Sequence, residues 1–294
     1  MRTLERTLVF LVIVSLLTPQ RVLGSACCAG QGPKSFISLQ ELQSYEIGLS
    51  LSMNRVFGRY NLYGEPEEMM HNQMFTLSLG AGARLSPSLE VSAIVPFTYH
   101  EMVFGTATAN SVNIGDIALG GKFVVLRSLF RDDWYPTIGI VGGIKTPTGT
   151  IERFDAGKLV PGTGNGLWEP YLGIALKKEV GIATLTLDAA YTIRIKRAAD
   201  ISGEADKIEL TEGATFPLSR RLSLGAASTQ RWVRASSTPD STGHSVSAAA
   251  FGTYFFTQVW SVTGTFDSNI PLHGWGANQQ LAQNISFTTK YGFF

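Results

Sequence analysis

Residues 183–196 read Ala183-Thr184-Leu185-Thr186-Leu187-Asp188-Ala189-Ala190-Tyr191-Thr192-Ile193-Arg194-Ile195-Lys196. In an extended chain, successive side chains point to opposite faces. Leu185, Leu187, Tyr191, Ile193 and Ile195 therefore share one face, and Thr184, Thr186, Asp188, Thr192, Arg194 and Lys196 share the other. No helical period of 3.6 residues competes with this alternation. One greasy and one polar face, over a stretch long enough for the roughly 9–11 residues of a tilted membrane strand, is the signature of a transmembrane β-strand.

The same pattern recurs outward from this stretch. Ile47, Leu49, Leu51 and Met53 alternate with Gly48, Ser50 and Ser52. Phe75, Leu77, Leu79, Ala81 and Ala83 alternate with Thr76, Ser78, Gly80, Gly82 and Arg84, and residues 89–99 carry Glu90, Ser92 and Thr98 on their polar face. Continuing the count predicts strands near 47–57, 73–84, 87–100, 113–126, 135–146 and 167–177. Six more follow near 181–196, 207–217, 221–234, 244–257, 258–268 and 280–293. The fold expected is all-β: a single antiparallel transmembrane β-barrel of about twelve strands, within a range of ten to fourteen.

Connections alternate in length. Short turns are expected at 85–88, 178–180, 219–220 and 257–258. Longer polar loops are expected at 58–72, 101–112, 147–166, 197–206, 235–243 and 268–279. That is the pattern of hairpins with short periplasmic turns and longer extracellular loops, and only the 127–134 turn departs from it. Phe97, Tyr99, Trp134, Tyr135, Trp168, Trp232, Trp260 and Trp275 sit near strand ends, as interfacial girdles require. A soluble lipocalin-like barrel or sandwich is the competing fold, and it does not account for these cues together.

Composition narrows the field. Charged residues are 16% of the 294, against roughly 25% in an ordinary soluble domain. The formal net charge is +1 and no basic cluster stands out, so nucleic acid is not an expected partner. Plentiful apolar surface argues against disorder. A helical membrane protein is excluded as well, because the longest apolar run is 8–17, well short of the roughly 18 residues a helix needs.

That run belongs to an expected signal peptide over 1–26. Arg2 and Arg6 form its positive start, and Gly24, Ser25 and Ala26 its small-residue end. Cleavage is expected after Ala26, with Gly24 the alternative, placing the mature chain in the outer membrane of a Gram-negative cell. Residues 27–45 then form a periplasmic tail or a lumen plug, and 46–294 the barrel. The tail carries Phe36, Ile37, Leu39 and Leu42 in an amphipathic run. Cys27 and Cys28 are adjacent and cannot form a relaxed disulfide with each other. They read as an incidental thiol pair, ahead of a lipid-modified Cys27 or a soft-metal pair; Gly24 stands where lipidation usually wants leucine.

Three motifs carry a narrower resemblance. Gly115-Asp116-Ile117-Ala118-Leu119-Gly120-Gly121-Lys122-Phe123 is followed by Gly143-Ile144-Lys145-Thr146-Pro147-Thr148-Gly149 and by Gly162-Thr163-Gly164-Asn165-Gly166. Over residues 87–195 the chain resembles the outer-membrane barrel family named for the meta pathway of phenol degradation. The resemblance implies a monomeric barrel taking up small, often aromatic or hydrophobic compounds. The C-terminal run Ile285, Phe287, Thr289, Tyr291 and Phe293 resembles the aromatic-ended last strand recognised by the barrel assembly machinery. That likeness makes Tyr291, Phe293 and Phe294 the candidate assembly signal and implies delivery by periplasmic chaperones. The alternation closes on Phe293, leaving Phe294 one residue beyond.

Catalysis is not expected. Barrels that hydrolyse lipids place a histidine and a serine on one lipid-facing side of a strand. Of the histidines His71, His100, His244 and His273, only His244 has serines close by, and Ser245 and Ser247 both fall on the opposite face. Glu65, Glu67, Glu68, Met69, Met70, His71 and Met74 crowd one loop, but these mixed types read as a solvated acidic loop with methionines at the rim. No cofactor and no metal are expected.

The polar faces would place Arg84, Glu90, Asp116, Lys122, Lys145, Glu169, Asp188, Arg194, Arg231, Asp267 and Lys290 in the lumen, because charge facing lipid is costly. Such charges either pair into a plug or line a water-filled passage. The 147–166 loop can fold outside or dip inward, and general loop behaviour favours the surface. The expected function is passive passage of a small, hydrophobic or aromatic solute across outer-membrane lipid. The alternative is a closed barrel with a structural or surface-interaction role.

Overall fold

The computed structural model describes residue 39 and residues 43–60, 65–104, 107–128, 133–155, 158–196, 206–233, 243–270 and 280–294. The expected signal peptide, the Cys27–Cys28 pair, most of the tail, His273 and Trp275 lie outside the described residues. So do the side chains of Glu67, Glu68, Met69, Met70 and His71.

Sixteen strand segments follow in chain order. They are β1 (Tyr45–Tyr60), β2 (Pro66–Ser86), β3 (Leu89–Phe104), β4 (Ala107–Ile114), β5 (Ala118–Leu126), β6 (Thr137–Lys145), β7 (Arg153–Asp155) and β8 (Lys158–Val160). The second half comprises β9 (Leu167–Val180), β10 (Ala183–Thr192), β11 (Ile195–Lys196), β12 (Lys207–Pro217), β13 (Leu222–Val233), β14 (Gly243–Phe255), β15 (Trp260–Asn269) and β16 (Gln280–Phe293).

These segments make a closed antiparallel barrel of twelve wall strands. β4 and β5 are two halves of one wall strand, since β3 pairs its outer part with β4 and its inner part with β5. β10 and β11 are likewise two parts of one strand against β9. β7 and β8 form a small hairpin of their own between β6 and β9. The ring closes where β16 returns to β1, with Tyr45 opposite Phe293 and Gly48 opposite Lys290. Tyr291 and Phe293 contact edge to face at 4.9 Å, while Phe294 lies beyond the strand and is 68% exposed.

Alternation sorts the two faces as the sequence suggests. Ile47, Leu49, Leu51, Leu77, Leu79, Ile174, Leu185, Tyr191, Leu224 and Phe287 are exposed on the outside. Thr98, Thr184, Thr186, Thr215, Ser223, Thr229, Ser247, Ser261 and Thr263 are buried on the inside. Several inward glycines seat side chains from a neighbouring strand. A Cβ on Gly143 would collide with Leu119 O and press on the Tyr171 ring, and one on Gly225 would collide with Phe251. Glycine is needed there because a ring and a neighbouring backbone carbonyl crowd the wall.

Two expected loops are instead strand. β1 runs on to Tyr60 and β2 begins at Pro66, so most of 58–72 belongs to the ladder. The 101–112 loop is a hairpin in which Phe104 faces Ala107. Polarity suggested loops there because it marks the end of the membrane band. Pairing continues past the band because each strand still satisfies the other's backbone hydrogen bonds. At the opposite end the turns are tight, and the β9–β10 turn uses Gly181 at φ +55°, which favours glycine.

Candidate functional site

A break in the ladder organises the lumen. Ile94 pairs with Ala118 and Phe97 with Ile114, so three steps along β3 face four steps from β4 to β5. One extra residue makes a β-bulge, which re-aims side chains. With unbroken alternation Asp116 would share the outward face of Ile114, against lipid. The bulge turns it inward, where it is only 4% exposed.

There Asp116 gathers the three glycine-rich motifs into one unit. Gly149 N–H donates to its Oδ1 at 3.0 Å, and Asn165 N–H donates to its Oδ2 at 3.0 Å. Lys145 Nζ lies 3.3 Å from the same carboxylate. Gly164 packs so closely that a Cβ would collide with Asp116 Oδ1, and Gly149 would meet the Gly164 backbone at 2.7 Å. Threonines fasten the rest. Thr148 Oγ1 donates to Gly115 O at 2.8 Å and accepts from Ile117 N–H at 2.9 Å. Thr163 Oγ1 donates to Ile114 O at 3.1 Å.

The described parts of the 147–166 loop therefore fold into the barrel, correcting the surface reading that ordinary loop behaviour favours. Inward-facing residues of β3 and β4 hold the loop's far side. His100 Nδ1 sits 2.6 Å from Gly162 O, and Ser111 Oγ donates to Pro161 O at 2.7 Å. The physical reason is local. Buried loop backbone must find partners, and Asp116, His100, Ser111 and the threonines supply them.

From Asp116 a ladder of ion pairs runs around the inner wall. Lys145 bridges to Glu169 at 3.2 Å. Glu169 meets Arg194 at 3.0 Å and Lys207 at 3.9 Å. Lys207 continues to Glu209 at 3.4 Å, and Glu209 to Arg231 at 2.8 Å. Register explains the alignment, because Ala118, Lys145 and Glu169 are cross-strand neighbours on one face, as are Glu209 and Arg231. Desolvated charges at this depth require such partners. Nearer the short-turn end, Arg84 pairs with Glu90 at 2.7 Å and Lys290 with Glu46 at 3.4 Å.

The remaining candidates stand apart from the ladder. Lys122 lies opposite Glu90, its stem beside Gly139. Asp188 faces Ala175 and Thr211 in register. Asp267, 1% exposed, lies between Ala249 and Asn284. Sequence reasoning missed Glu46, Lys207, Glu209 and His100. Lys207 and Glu209 were findable, because they alternate with Ile208 and Leu210 inside an expected strand. His100 was findable on the same ground, since it shares the polar face of Thr98 inside an expected strand.

Hydroxyl pairs line other parts of the wall. Ser50 bonds Thr288 at 2.8 Å, Thr253 bonds Thr263 at 2.9 Å, and Thr76 reaches Thr98 at 3.4 Å. At the short-turn mouth Gln43 is 2% exposed, its amide pressed on the inward side of Gly292. His244 points outward and stacks on Trp232 at 5.2 Å, whereas Ser245 is paired with the inward Arg231. Among the described residues no group of three His, Cys, Asp or Glu is placed to hold a metal ion.

The sequence matches no family model and no curated protein. Its fold is similar to solved structures. The COG4313 outer membrane channel from Pseudomonas putida F1 superposes with a TM-score of 0.71 at 13% identity, covering 90% of this chain and all of that one. The beta domain of the Bordetella autotransporter BrkA gives 0.56 at 9% identity, over 85% of this chain and 100% of that one. The translocator domain of the autotransporter NalP from Neisseria meningitidis gives 0.51 at 12%, over 85% of this chain and 89% of that one. At these identities the likeness is one of fold, that of outer-membrane β-barrels.

Proposed function

We propose that this barrel sits in the outer membrane and passes small solutes passively through a lumen narrowed by its own inward loop. The observation that carries the reading is the Asp116 tether. A buried carboxylate spends two backbone N–H bonds and a lysine on holding one loop inside the barrel. A barrel needing only to be closed has no use for so specific a constriction beside a hydroxyl-lined wall. Solutes that are small and hydrophobic or aromatic are the class implied by the motif resemblance. The Tyr171 and Phe251 rings, lying along the wall over Gly143 and Gly225, support it by offering aromatic surface inside.

A second reading, a barrel closed at rest, is favoured by Gln43 being buried against Gly292 at the short-turn mouth. One experiment separates the two. Single-channel conductance is recorded for the refolded mature protein, for a variant lacking residues 27–42 and for Asp116→Ala. Steady current that rises in Asp116→Ala supports the constricted channel. Current only after truncation makes the N-terminal segment a plug. Silence from all three correctly folded proteins sinks the channel.

A further inference from the structure

We infer that the ion ladder makes the passage selective for small organic anions, with a solute carboxylate docking on Arg231. The inference rests on the channel reading above and narrows its solute class. Four cations, Lys145, Arg194, Lys207 and Arg231, stand in the ladder against three carboxylates, Asp116, Glu169 and Glu209. The layering of these charges matters more than their number. Lys145 leaves 26% of its side chain exposed, against 1% for Asp116 and 4% for Glu169. Arg231 leaves 30% exposed, against 12% for Glu209. Register puts these residues on the inner face, so the open surface belongs to the lumen. The carboxylates are the sunken partners and the cations the open ones. A passing solute therefore meets positive charge first, and a cleft lined by one sign of charge concentrates ions of the other.

Arg231 has the geometry to hold what arrives. Its Nε and Nη2 both donate to Glu209 Oε1, at 3.0 and 2.8 Å. A guanidinium presents further N–H donors in a rigid fork that matches a carboxylate. Nη1 makes no hydrogen bond among the described residues, so that edge of the fork can take a second carboxylate. The rings suit the rest of such a solute. Tyr171 is one inward step from Glu169 along β9, and Gly143, against its ring, is one inward step from Lys145 along β6. Apolar surface thus begins directly beneath the ladder, on the short-turn side. Other charges do not reverse the balance. Asp206 takes the outward Tyr191 hydroxyl, and nearer the short-turn end Lys122 and Asp188 add one charge of each sign. In the loop, Glu152, Arg153, Asp155 and Lys158 sum to zero by sequence, and the side chains of the last three lie outside the described residues.

The test reads selectivity and docking separately. Reversal potentials of the refolded mature protein are recorded in a potassium chloride gradient, then with chloride on one side and benzoate on the other. Chloride is expected to be more permeant than potassium, and benzoate to match chloride despite its bulk. In Arg231→Gln, where Glu209 keeps Lys207 as a partner, chloride loses its lead over potassium and benzoate falls below chloride. Arg231→Lys keeps the charge without the fork, so the lead over potassium stays while benzoate still falls. In parallel, saturation-transfer NMR reads docking on the folded barrel in nanodiscs, with neutral benzamide as the control. A benzoate signal is expected that benzamide does not give and that Arg231→Gln loses. Potassium preference, chloride ahead of benzoate in the wild type, or wild-type behaviour in Arg231→Gln overturns the inference. Benzoate docking that depends on Arg231 in a barrel without current keeps the docking site and overturns the channel. Silence without docking overturns both.

Discussion

The two halves of the inner wall are built from different chemistry. From the β4–β5 junction to β13 the wall is held by an alternating chain of ions, Asp116, Lys145, Glu169, Lys207, Glu209 and Arg231. From β14 round to β3 hydroxyl pairs such as Thr253–Thr263 and Ser50–Thr288 join the strands, and the ion pairs Arg84–Glu90 and Lys290–Glu46 stand singly near the short-turn end. The ionic half is where the loop enters. In the hydroxyl half His100 on β3 reaches the loop at Gly162, and Phe251 lays its ring along the wall. The difference teaches that charge here organises an obstruction, while small polar groups maintain the space around it.

The sharpest way to break this contrast is Asp116→Ala. It removes one partner of a buried pair and the acceptor of two backbone N–H groups. A loss of about 3–5 kcal/mol is expected, read by urea unfolding of the refolded barrel in vesicles, together with a higher conductance. Glu169→Gln comes next, because three cations, Lys145, Arg194 and Lys207, share that carboxylate. About 2–3 kcal/mol should be lost, and the reversal potential in a salt gradient should move toward anion preference. An unchanged reversal potential would mean that the ladder does not face permeating ions.

Gly225→Ala probes how rings are seated. Its Cβ collides with Phe251, so about 1–3 kcal/mol of stability is expected to go, with Gly225→Ala/Phe251→Leu recovering part of it in the same unfolding assay. The smallest effect belongs to the hydroxyl half. Thr263→Val leaves Thr253 with one bond fewer and should cost about 1 kcal/mol, with conductance unchanged. Equal costs for Thr263→Val and Asp116→Ala would erase the distinction between the halves.

The wall was legible in the sequence because strand alternation is local. Ile47 to Met53 or Thr184 to Lys196 carry their own inside and outside without reference to the rest of the chain. What was not legible depends on contacts across long separations. The loop turns inward because Gly149 and Asn165 reach Asp116, residues 33 and 49 positions away in the chain. The bulge that aims Asp116 is visible only when β3 is laid beside β4 and β5. Loops expected at 58–72 and 101–112 became ladder for a related reason: polarity reports where the membrane ends, not where pairing ends. Glu46 escaped notice because it falls one step before the first apolar residue of its strand, although it meets Lys290 at the seam.

That seam has a kinetic consequence. Ser50 and Thr288 bond across β1 and β16 although 238 residues separate them. The cost of bringing chain ends together grows slowly with length, but it must be met before distant pairing returns anything. Until the last strand reaches the first, both keep an open edge of unpaired backbone, the kind of edge that recruits foreign strands. A ring of this type has no half-built form with all its edges satisfied. The slow step of its biogenesis is therefore expected to be zipping Phe293 against Tyr45.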